Sequence, residues 1–154
     1  MLIFLDIDGV MVPAKSWKRP EILKDGFPDF SMNSVSALNT ILSKSVKLIL
    51  TTSHKSSYSI NEWKFIFKNR GIQLNQIVSL EENSTGLSRK DELLRWFNKN
   101  IVSEPFVIID DDKSLNGLPD YLKKHLLLTS PIIGLNMDAI PEINRILNLD
   151  FELV

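Results

Sequence analysis

The chain contains no cysteine. That one absence excludes disulfide bridges, thiolate metal centres and cysteine nucleophiles together. Charge of one sign is also missing: 18 Lys and Arg stand against 19 Asp and Glu, for a net charge of −1. Such a balance gives no general affinity for nucleic acid or membranes and leaves only local basic patches to consider. No apolar run approaches the roughly 20 residues that span a bilayer. The apolar start is short and lacks the basic leader of a signal peptide, so a cytoplasmic location is expected. What is present is 154 residues, 44% hydrophobic and 24% charged, the profile of one globular domain over 1–154 with a substantial core.

The chain opens MLIFLDIDGV. Leu2–Leu5 is hydrophobic on both faces, as expected for a central strand of a parallel sheet. It ends in Asp6 and Asp8, which share a side in extended backbone, and Gly9 then lets the chain turn away. Further β-type runs recur at Val46–Leu50, Gln76–Leu80, Phe106–Ile109 and Leu126–Leu128. Helical patterns fall between them. Ser31 caps one carrying Val35, Leu38, Ile41 and Leu42, and Gly71 ends one carrying Trp63, Ile66 and Phe67. Ser88 opens one carrying Leu93, Trp96 and Phe97, and a last one begins near Asp138 with Pro141 in its first turn. The alternation predicts an α/β fold with a mostly parallel five-stranded sheet and helices on both faces. Residues 11–30 break it: three prolines and a glycine, with Lys15, Lys18 and Arg19 around Trp17. A loop of this length is usually functional or mobile, and it follows Asp8 closely enough to overhang it.

Ligands of open α/β sheets bind outside the carboxyl ends of the strands. The polar residues at those ends are Asp6 and Asp8, then Thr51, Thr52 and Ser53, then Asp110, Asp111 and Asp112, with Lys90 just before the helix that leads into the fourth strand. Carboxylates, hydroxyls and one ammonium in a crevice suit a hard divalent cation such as Mg2+ and an oxyanion. A phosphate monoester brings roughly 1.5 to 2 negative charges, which the metal and Lys90 would offset. Thr51 and Thr52 could hold phosphoryl oxygens. Asp6 could then attack phosphorus to form an aspartyl-phosphate, and Asp8 could serve as general acid and base.

The order DxDGV, apolar strand–Thr, Lys, apolar strand–DD resembles the haloacid dehalogenase (HAD) superfamily. FLDIDGVMVP, LILTTSHK, RKDELLRWF before VIIDDD, and the closing TSPIIGLNMDAIPEI resemble one branch, the HAD domain of Swiss Army Knife RNA repair proteins. The resemblance implies a three-layer Rossmann-like fold with minimal or no cap. It implies Asp6 as nucleophile, Asp8 as acid/base, Thr51 or Thr52 as phosphate-binding hydroxyl and Lys90 as the stabilising cation. It also implies Mg2+ held by Asp6, Asp110, Asp111 and the Asp8 carbonyl. His54 and Lys55 stand where that branch carries Trp-Arg. The expected function is a Mg2+-dependent phosphohydrolase acting on phosphate monoesters, nucleic-acid ends or nucleotides among them. The alternative is an idle HAD-fold module that binds phosphorylated partners.

Two other readings of DxDG fit the chain less well. An EF-hand loop aligned on Gly9 would place Phe4 and Lys15 where carboxylates are required. A receiver domain has its lysine last, whereas Lys90 precedes Asp110. His125, beside Lys123 and Lys124, reads as helix C-terminal charge, and Trp63 and Trp96 read as core.

Overall fold

The computed structural model describes residues 1–14, 18–42 and 45–149, so the expected contributions of Lys15 and Trp17 lie outside the described residues. Five strands, β1 (Leu2–Leu5), β2 (Lys47–Leu50), β3 (Gln76–Ser79), β4 (Phe106–Asp110) and β5 (Leu126–Leu128), form one all-parallel sheet in the order β3-β2-β1-β4-β5. β1 is central and buried along its whole length, as its two-sided apolar pattern requires. The chain builds outward from β1 through β2 to β3, then returns to place β4 on β1's other side. The switch point, where such sheets open a crevice, therefore lies between β1 and β4.

Strand alternation sorts the core into two layers. Ile3, Leu5, Leu48, Leu50, Val107 and Ile109 face one side with Leu38, Ile41, Trp63, Phe67, Ile143 and Ile146. These helical residues belong to α1 (Met32–Leu42), α2 (Ile60–Lys68) and α5 (Ile140–Leu147). Leu2, Phe4, Ile49, Phe106 and Ile108 face the other side, covered by Leu93, Trp96 and Phe97 of α3 (Arg89–Lys99) and Leu122 of α4 (Asp120–Lys123). The Phe4 ring packs against Trp96, Phe97 and Phe106 with centroids 5.0, 5.1 and 6.1 Å away. Burial of such a side chain is worth about 1.5–3 kcal/mol. The result is a three-layer α/β sandwich.

Local chemistry sets the helix ends. Ser31 Oγ accepts from Ser34 N at the start of α1. Ser59 and Glu62 form a reciprocal capping box on α2, and Ser88 accepts from Asp91 N to cap α3. His125 departs from its expected role as an exposed C-terminal charge. It is buried, stacks on Phe106 at 3.8 Å, and places Nδ1 2.9 Å from the Phe106 carbonyl. Burial pushes its pKa down, favouring the neutral ring.

Between β1 and α1 the described residues form no helix and no extended strand, only isolated bridges at Asp8–Val12 and Ile22–Pro28. This stretch is pinned by Phe27 and Phe30, both buried, and by Arg70. The Arg70 guanidinium donates to Asp25 at 2.6 and 3.0 Å and to the carbonyls of Pro28, Ile66 and Phe27. Arg70 holds the Asp25 carboxyl well below the usual carboxylate range. A depressed folded-state pKa contributes stability that is complete above the ordinary value of 3.8 and is lost as pH falls below it. Asp25→Asn should therefore cost about 2 kcal/mol at neutral pH, read from the urea midpoint, and less in strong acid.

Candidate active site at the carboxyl ends of the strands

The register that pairs Leu5 with both Leu50 and Ile109 brings the next residues of three strands into one row. Asp6 N donates to the Ile109 carbonyl at 3.1 Å, and Thr51 N to the Leu5 carbonyl at 3.0 Å. Alternation then decides which side chains meet. Asp6 follows the parity of Phe4, Thr51 that of Ile49, and Asp110 that of Ile108, all facing the α3 layer. Asp6, Asp110 and Asp111 present carboxylate oxygens all within 4.8 Å of one another.

Arg89, the first residue of α3, enters this row. Its Nη1 lies 2.6 Å from Asp110 Oδ2, 3.3 Å from Asp6 Oδ1 and 3.3 Å from Thr51 Oγ1. The other Asp110 oxygen accepts from the amides of Asp111 and Asp112 at 2.8 and 3.0 Å. Burial, with Asp110 alongside, pushes the Asp6 carboxyl up to about 8 despite Arg89. Burial also raises Asp110, with the Asp111 charge, against the pull of Arg89 and the Asp112 amide. Burial works against the Arg89 charge, but Asp110, Asp6 and Glu92 outweigh it and raise its pKa further. An all-oxygen, acidic donor set whose ionised form is this strained fits a hard divalent cation.

Asp8 lies at the mouth, its side chain 59% exposed, with Oδ2 2.9 Å from His54 Nε2. The His54 ring stands edge-on to Phe27 at 5.6 Å. Gly9 makes the turn with φ +79°, and its carbonyl accepts from Thr129 Oγ1 at 2.8 Å. A Cβ on Gly9 would overlap the Asp111 carboxylate. Gly9→Ala therefore combines left-handed backbone strain with displacement of Asp111, and should cost about 1–3 kcal/mol. Calorimetry would read that loss, and a parallel titration should show weaker divalent-cation binding.

The expected site residues divide by location. Asp6, Thr51, Asp110 and Asp111 come together, and Asp8 stands at the edge of the group. Thr52 is buried but turned into the following turn, its Oγ1 accepting from His54 N at 3.3 Å. Lys90 has no hydrogen-bond or ion-pair partner among the described residues. Its side-chain end lies over Gly117, where an added Cβ would stand 3.5 Å from Nζ. The cation among the carboxylates is Arg89, which motif reading passed over. The signal was available: Arg89 is four residues before Leu93 and seven before Trp96, on the face of α3 that turns inward. A cavity of about 440 Å³, lined by Met1, Lys47, Gln76 and Glu104 among others, is at the opposite end of the strands.

A family defined as the HAD domain in Swiss Army Knife RNA repair proteins matches residues 2–140. No curated protein matches the chain. The match covers every strand, α1 to α4 and all of the clustered carboxylates. The chain belongs to the family of HAD domains found in Swiss Army Knife RNA repair proteins.

Proposed function

We propose that the protein is a Mg2+-dependent phosphohydrolase that cleaves phosphate monoesters through an aspartyl-phosphate on Asp6. The observation that carries this reading is the Asp6 carboxylate set between Arg89, Asp110 and Thr51, with Asp8 two residues on at an open mouth. In the first step an Asp6 oxygen bonds to phosphorus as the ester P–O bond breaks. Asp8 gives its proton to the leaving oxygen. In the second step water attacks phosphorus and Asp8 takes up its proton. The bond to Asp6 breaks, releasing inorganic phosphate and restoring both residues. Thr51 Oγ1 and Arg89 hold the phosphoryl oxygens and offset the charge that builds on them.

Asp6, Asp110, Asp111 and the Asp8 carbonyl would hold Mg2+, whose charge favours ionised Asp6 and offsets that of the incoming phosphate. The substrate we favour is a phosphorylated nucleic-acid end or nucleotide. Supporting it are the family's description, the absence of any domain-sized insertion over Asp8 among the described residues, and a neighbouring groove of about 290 Å³ that carries Lys18 and Arg19.

The test measures phosphate release, with Mg2+ or with EDTA, from mononucleotides, sugar phosphates and oligonucleotides phosphorylated at the 3′ or 5′ end. Asp8→Asn should slow release by about 10²–10⁴-fold while binding of inorganic phosphate persists. No release from any substrate, with phosphate binding retained by the wild type, would replace this reading with that of an idle binding module.

A further inference from the structure

Behind Arg89 lies a second charged pair that no step above uses. Lys55 is 3% exposed and Glu92 is 4% exposed, rare burial for either residue type unless paired. Lys55 Nζ stands 2.7 Å from Glu92 Oε2, an ion-pair contact. The other Glu92 oxygen faces Arg89 Nε at 3.8 Å across one turn of α3. Both Arg89 Nε and Glu92 Oε2 are buried without a hydrogen bond of good geometry. The charges thus run in alternation from Lys55 through Glu92 and Arg89 to Asp6 and Asp110.

We propose that the buried Lys55–Glu92 pair positions Arg89, fixing its guanidinium against Asp6 and Asp110. The proposal rests on the phosphohydrolase reading for its kinetic consequence alone. A buried ion pair adds little stability over an apolar pair of the same shape, so folding alone gives no reason to retain one here. Its effect on Arg89 does. Glu92 draws the Nε edge of the guanidinium while Asp110 accepts from Nη1, so the group is held from both sides. Lys55 neutralises Glu92, leaving the Arg89 charge directed at the carboxylates and the phosphoryl group.

The backbone of Lys55 is itself clamped: its N donates to the Thr52 carbonyl at 3.1 Å, and its carbonyl accepts from Trp63 Nε1 at 3.1 Å. The preceding residue, His54, holds Asp8. One turn after β2 thereby orients both the acid/base and, through Glu92, the cation. Lys55 and Glu92 touch none of the reacting atoms; they are positioning residues.

The test is the double variant Lys55→Met/Glu92→Gln, which removes both charges at nearly constant volume. Its unfolding midpoint should stay within about 5 °C of wild type. Its kcat should fall by about 10–100-fold with KM little changed. Lys55→Arg, which keeps the pair, should retain most of kcat. A readout independent of turnover is rotational exchange of the Arg89 guanidinium about its Nε–Cζ bond, by NMR. Exchange should be slow in the wild type and about tenfold faster or more in the double variant. Glu92→Asp withdraws the carboxylate by one methylene and serves if the double variant does not fold; its exchange should also quicken. A folded variant with unchanged exchange and unchanged kcat would overturn the proposal. If the wild type turns over no substrate, the phosphohydrolase reading fails, and Arg89 exchange alone decides the positioning role.

Discussion

Asp6→Asn is expected to lower phosphate release by about 10⁴-fold or more, with the fold intact. The amide keeps the shape of the carboxylate but cannot form the acyl phosphate. The two carboxylates nearest to it in role are otherwise engaged. Asp110 is committed to two amides and to Arg89, and Asp8 is at the mouth beside His54. The same substitution should change stability in the opposite direction. Asp6 is pushed up to about 8 by burial and by Asp110, from an ordinary 3.8. A raised carboxyl pKa means that the stabilising contribution is complete below the ordinary value and is lost as pH rises through the folded one. In EDTA, the wild type should therefore lose stability progressively from about pH 4 to about pH 8. Asp6→Asn should flatten that slope and be the more stable protein at the alkaline end. Urea midpoints across this range measure both effects.

Arg89→Ala is expected to reduce kcat by about 10²–10³-fold, whereas Lys90→Ala should stay within about threefold of wild type. The argument is one of direction. Arg89 Nη1 reaches Asp6, Asp110 and Thr51 at 2.6–3.3 Å, while Lys90, one residue on, points its ammonium over Gly117. Loss of Arg89 would leave Asp6 and Asp110 facing each other with no side-chain cation between them. Single-turnover kinetics of the two variants decide the assignment. A large loss in Lys90→Ala with Arg89→Ala unaffected would return the role to the lysine that motif order suggests.

These two residues illustrate what sequence reading reaches and where it stops. The five strands were legible because each is a short apolar run bounded by turn or helix-start residues, and β1 and β4 carry the two-sided pattern of central strands. The carboxylates were legible as strand-end residues for the same reason. Choosing between neighbours needs more than order along the chain. Thr51 rather than Thr52 faces Asp6 because Thr51 shares the parity of Ile49, and Arg89 rather than Lys90 faces inward because of its phase relative to Leu93. Both choices follow from periodicity once the packed face is known. The Lys55–Glu92 pair was beyond reach. Its partners are 37 positions apart, and nothing local marks a lysine as buried. His125 misled for a related reason: its lysine neighbours are exposed, but its own ring packs on Phe106.

The most direct test of the central claim is to trap the covalent intermediate. The wild-type protein, with Mg2+ and the best ³²P-labelled monoester of the panel, would be quenched in acid during turnover and digested. The account predicts label on the peptide that contains Asp6, released by hydroxylamine and absent from Asp6→Asn. Turnover that continues in Asp6→Asn, with no label on the wild-type protein, would contradict it.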